Sequence, residues 1–176
     1  MRTFVRTLHL NIMSDRGKRI FLGICIIVPF FIYCFYYYSA MVKNAPFRFT
    51  DFEAIELTYG TPDSMQNHYS STTHLYQFER KNGTVALDTV KLRDNDLLYL
   101  HRKAQELGFW NVDNDMTTPQ ADREPTAARF VLKFTYKEKS KEVTLDTDYP
   151  GNPKMKEAAK TTIDEVMKMI AEAQAR

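Results

Sequence analysis

Histidines are the residues of this 176-residue chain best suited to acid–base or metal chemistry, and three of its four, His68, His74 and His101, lie beyond residue 50. A histidine metal site needs converging ligands, such as two rings one helical turn apart beside a carboxylate. The spacing here offers nothing of that kind. His68 falls in a polar loop, His74 on a strand, and His101 beside Leu97 and Ala104 on a helix. Asn111, Asp113, Asp115 and Asp122 match positions 1, 3, 5 and 12 of a calcium loop. That loop requires glycine at its sixth position and a bidentate glutamate at its last, where this chain has Met116 and Asp122, and a strand rather than a helix follows. A solvated acidic loop is the better expectation. Ser70 and Ser71 have no nucleophile elbow around them, and no glycine-rich phosphate loop occurs. Asp88 and Asp146 each follow the last apolar residue of a strand and read as turn residues. Asp94 and Asp96 sit at a helix start, where acids suit the macrodipole. Asn82-Gly83-Thr84 is a glycosylation sequon and also a hairpin turn, which accounts for it. Cys25 and Cys34 both lie in an apolar stretch, leaving no thiol elsewhere for a disulfide or a zinc site. No catalytic residue, cofactor or metal ligand is expected.

Recognition is the chemistry that remains. Asn111 to Ala127 spans about 17 residues without a structural pattern, and Gly60 to Thr72 about 13. Unstructured connections beyond about 12–15 residues in compact domains tend to be functional or disordered. The longer one is acidic, stiffened by Pro119 and Pro125, and has only Val112 and Met116 as larger aliphatics. It is expected to contribute little to folding, so that a Gly-Ser link replacing Asp115 to Arg123 leaves stability nearly unchanged. The candidate interaction residues are Asp113, Asp115 and Asp122 in this loop, with Arg129 and Lys133 on the polar outer face of the strand after it.

The elements that must position these residues are set by periodicity. Ile55 to Tyr59, His74 to Arg80, Thr84 to Val90, Ala128 to Lys137 and Glu142 to Asp146 alternate as strands. Asn82-Gly83 between two of them signals a hairpin. Asp94 caps a helix with the stripe Leu97, Leu100, Ala104 and Leu107, stopped by Gly108. Asn152 and Pro153 open a second helix whose buried face is Met155, Ala159, Ile163, Val166, Ile170 and Ala173. Met155, Met167 and Met169 on it read as core filler or a soft contact surface. Val85-Ala-Leu-Asp-Thr89 matches Val143-Thr-Leu-Asp-Thr147 at an offset of 58 residues, which suggests a tandem ββα repeat. The expected fold is α+β, an antiparallel sheet of about five strands with two helices on one face.

Ahead of this domain, Ile20 to Val42 runs without a charge. As a helix it measures about 34 Å, enough to span a hydrocarbon core of about 30 Å. It is too long, and Tyr38 too bulky beside Ala40, for a cleaved signal peptide, so a signal-anchor is expected. Arg16, Lys18 and Arg19 crowd its N-terminal edge, which puts a basic tail of residues 1–19 in the cytoplasm. The domain, residues 51–176, then lies outside the cell membrane, periplasmic in a Gram-negative cell, after a linker at 43–50. Residues 1–42 carry five bases against one acid and the rest 19 bases against 21 acids, net +4 and −2. A nearly balanced domain excludes nucleic acid as a partner, since phosphate binding needs a basic face.

The strand-rich start, the Gly83-Thr84-Val85 hairpin, a helix closing in Leu107-Gly108-Phe109-Trp110 and a second hairpin with a closing helix resemble small bacterial envelope-anchored α+β domains, over residues 52–173. That resemblance implies the fold and an envelope location and supplies no active site. The expected function is a membrane-anchored, non-catalytic interaction module whose partner is an envelope protein or wall component. An inhibitor or immunity-type protein is a special case of it. An exported hydrolase is the alternative, and it requires a cleft joining His74 or His101 to an acid. A small-ligand or lipid carrier requires an apolar cavity between sheet and helices, which the Phe, Tyr and Leu content is sufficient to fill.

Overall fold

The computed structural model describes residues 15–44 and 47–176. The tail with Arg2 and Arg6, and Pro46 of the linker, lie outside the described residues. The chain divides into two units, residues 1–44 and 45–176. The first is a single helix, α1 (Asp15–Asn44), uninterrupted at Pro29. Its stretch Arg16–Ser39 is long and apolar enough to be a candidate membrane span, and none of it is buried by the protein.

The second unit is α+β, with seven strands rather than about five. In chain order these are β1 (Phe52–Thr61), β2 (Ser64–Ser70), β3 (Leu75–Glu79), β4 (Val85–Thr89), helix α2 (Asp94–Glu106), β5 (Asp115–Met116), β6 (Arg129–Tyr136), β7 (Ser140–Asp146) and helix α3 (Pro153–Gln174). The sheet runs β4-β3-β2-β1-β6-β7-β5 and is mixed, because β5 lies parallel to β7 while the other pairs are antiparallel. Both strands not foreseen fall in segments read as loops. β2 has almost no apolar alternation, and its residues are strand because β1 and β3 pair it on both sides. Its hairpin with β1 turns at Pro62-Asp63 and needs Gly60, where a Cβ would stand 2.2 Å from the Ser64 carbonyl oxygen.

Strand alternation puts Ile55, Leu57, Tyr69, Leu132, Phe134, Val143 and Leu145 on one face, buried in one core with Leu100 and Ala104 of α2 and Ala159, Ile163, Val166 and Ile170 of α3. Both helices thus cover that face. Gly108 stops α2 in a left-handed conformation, φ 74°. The cap of α2 is Arg93, one residue before Asp94, and its amide donates to Asp96. Asn152 caps α3 by accepting from the Lys154 amide, with Pro153 in the first turn. Before β1, Phe47 is buried and stacks on Trp110 with ring centroids 4.6 Å apart.

The ββα order recurs as β3-β4-α2 and β6-β7-α3, but the matching residues are not equivalent. Val85 pairs with Glu79, so an offset of 58 would set Val143 opposite Lys137, whereas it pairs with Leu132. That five-residue difference in register turns Val143 and Leu145 into the core, while Val85 and Leu87 face out.

Candidate interaction surface

The acidic connection is not a solvated loop. After a short turn at Phe109–Asn111, Val112 is buried, Met116 enters β5 and Thr118 and Ala127 are buried too. Asp146, fully buried at the end of β7, organises the stretch from Thr118 to Arg129. Arg129 grips it with Nε at 2.7 Å and Nη2 at 2.8 Å, the Thr118 amide donates to it at 2.9 Å, and Arg123 Nε stands 3.7 Å away. Arg123 also donates to the Thr118 carbonyl. Asp148 accepts from the Thr118 hydroxyl and the Glu124 amide. At the other end Lys141, buried on β7, donates to the Val112 carbonyl and the Asn114 side chain. Burial works to raise the Asp146 pKa, but the Arg129 hydrogen bonds and the Thr118 amide outweigh it and hold the carboxyl below its ordinary value. Asp146 is therefore the keystone of the segment rather than a turn residue.

The sequence-derived candidates separate accordingly. Asp113, Asp115 and Asp122 are exposed, and Asp115 accepts from Thr117. Among the described residues no three His, Cys, Asp or Glu side chains form a cluster suited to a metal. Arg129 is committed to Asp146 instead of projecting outward. Lys133 stands 3.9 Å from both Glu56 and Glu142, in a ladder across β1, β6 and β7. The histidines are likewise apart. His68 Nδ1 pairs with the Thr58 hydroxyl at 2.8 Å. His101 Nδ1 pairs with the Tyr136 hydroxyl at 2.8 Å, and burial, with Arg102 adding to it, lowers its pKa. His74 takes a positive φ of 59° in the turn into β3. Among the described residues none of them hydrogen-bonds a carboxylate.

What the sequence did not disclose is the sheet's outer edge. Alternation identified β4, but nothing local says that a strand ends a sheet. The Val90 amide donates to His74, and the Thr84 carbonyl accepts from Arg80, so even-numbered residues of β4 aim their backbone groups at β3. Val85, Leu87 and Thr89 therefore aim theirs outward, where no described strand pairs. The Thr89 amide is occupied by its neighbour Asp88 at 2.8 Å. On the face away from the helices this edge presents Leu87 at 70% exposure, Val85 at 50% and, from β3, Leu75 at 46%. Further across the same face, beyond β2, lie the mixed side chains Glu56, Thr58, Val131, Lys133 and Glu142. No protein-family model, curated protein or solved structure matches this chain.

Proposed function

We propose that this protein is a membrane-anchored, non-catalytic interaction module that holds its α+β domain outside the membrane and binds an envelope protein by strand addition at β4. The observation that carries the reading is the β4 edge. It combines outward backbone groups that no described strand pairs with a row of exposed Leu75, Val85 and Leu87, the arrangement that natural sheets usually blunt with charge, proline or a covering element. An extended partner segment would take hydrogen bonds from the backbone and specificity from alternate side chains seated on that row. The basic residues Arg16, Lys18 and Arg19 in the first turns of α1 support a cytoplasmic N-terminus.

Proline at Leu87 tests this directly. The Leu87 amide points away from β3, so Leu87→Pro keeps the fold while blocking an incoming strand. A photo-crosslinker placed at Val85 or Thr89 in intact membranes should capture one extended segment of one protein, and Leu87→Pro should abolish that capture with the circular dichroism unchanged. Capture that survives Leu87→Pro, or that maps instead to Asp113, Asp122 or Lys133, would overturn the assignment.

A further inference from the structure

Sheet and helices do not fill the space between them completely. Under the last turns of α3 a cavity of ≈ 130 Å³, partly open to solvent, remains, walled by Leu57, Met167, Ile170 and Ala171. Two polar side chains, Tyr59 and Tyr76, complete the lining from the sheet side, with Gln174 at its rim. Their hydroxyl oxygens lie 2.6 Å apart, and this is the one hydrogen bond either makes among the described residues. Two hydroxyls carry two hydrogens, and the pair consumes one. The other is given no protein partner among the described residues. Burial, with Tyr76 adding to it, pushes the Tyr59 pKa far up, so the group stays a neutral donor across the physiological range. Gln174 is held elsewhere, its amide donating to Asp88 at 2.7 Å.

Water is a poor occupant of this space. A well-held water needs about two to four polar partners, and beyond the tyrosine pair and the Gln174 side chain the walls are apolar. An apolar cavity of about 150 Å³ accommodates benzene, so the size suits a compact organic molecule. We propose that this cavity is a binding site for a small, neutral, largely apolar molecule whose body is about the size of benzene and which carries one hydrogen-bond acceptor, to take the unspent hydrogen of the Tyr59–Tyr76 pair. The site lies on the helix-covered face, and it stands independently of strand addition at β4.

Anisole and ethylbenzene test the proposal, being alike in size while only anisole carries an oxygen acceptor. Each is titrated, with correction for partition into lipid, into the full chain in nanodiscs carrying methyl-labelled methionine. The Met167 methyl resonance is the readout, because that side chain lines the cavity. Anisole should give a saturable shift and bind about fivefold more tightly than ethylbenzene, the worth of one net hydrogen bond. Tyr76→Phe leaves one hydroxyl hydrogen available and should keep the preference. The double variant Tyr59→Phe/Tyr76→Phe should bind both probes alike. Absence of a saturable Met167 shift, or equal affinity of the two probes for the unmodified chain, would overturn the proposal.

Discussion

Asp146 and Asp88 look alike in the sequence, each following Val-x-Leu, and they do different work. Asp88 is half-buried on the edge strand, holding Gln174 and the adjacent Thr89 amide. Asp146 is fully buried and faces two arginines. Removing its charge leaves Arg129 in a partly buried site without its partner, so Asp146→Asn should cost about 3 kcal/mol of unfolding free energy, read by urea denaturation. Asp88→Asn should cost much less. Because the folded pKa of Asp146 is depressed, its contribution is present above the unfolded value of about 3.9 and is lost as pH falls through the folded one. His101 acts in the same direction at higher pH. Its ring, enclosed by Phe49, Trp110 and Tyr136, is held neutral. Stability should therefore be full above about pH 6.5 and decline below it, as the unfolded ring takes up a proton that the folded ring resists. His101→Gln, which can still bond the Tyr136 hydroxyl, should remove that step from a plot of stability against pH.

At the scale of elements, the segment from Asp115 to Arg123 should behave as part of the fold. Replacing it with a Gly-Ser link removes Met116 from the core and two of the groups that attend Asp146, so the melting temperature should fall by about 10 °C. An unchanged melting temperature would restore the solvated loop. Local sequence conceals the packing of this segment for a physical reason. Its partners, Asp146 and Asp148, lie more than 20 residues further along the chain, and composition alone shows only the acids and prolines. β2 is hidden for a similar reason, since Ser64-Met-Gln-Asn-His carries no period of its own and takes its conformation from both neighbours. Elements that own their signal are legible: the β3–β4 hairpin around Asn82-Gly83, the Gly108 stop and the Asn152-Pro153 start all stand where the residues put them. The exposed row at Leu87 is not, because edge position is a property of the assembled sheet.

For the whole molecule, orientation is the most direct question. With Cys25 and Cys34 replaced by alanine, a single cysteine at exposed Lys81 should react with an impermeant maleimide in intact cells or spheroplasts, since the bases in the first turns of α1 favour a cytoplasmic N-terminus. Reaction only after lysis would reverse the topology. The chain leaving α1 reaches the sheet through Phe47, seated against Trp110, and enters at β1, which is paired along its length with β6 on one side and with β2 on the other. A pull on the chain ahead of β1 would thus be delivered to the middle of the sheet, to a strand that two ladders hold. A strand at the margin would instead be peeled away one hydrogen bond at a time. The entry point leaves the domain mechanically suited to load borne through the chain ahead of β1.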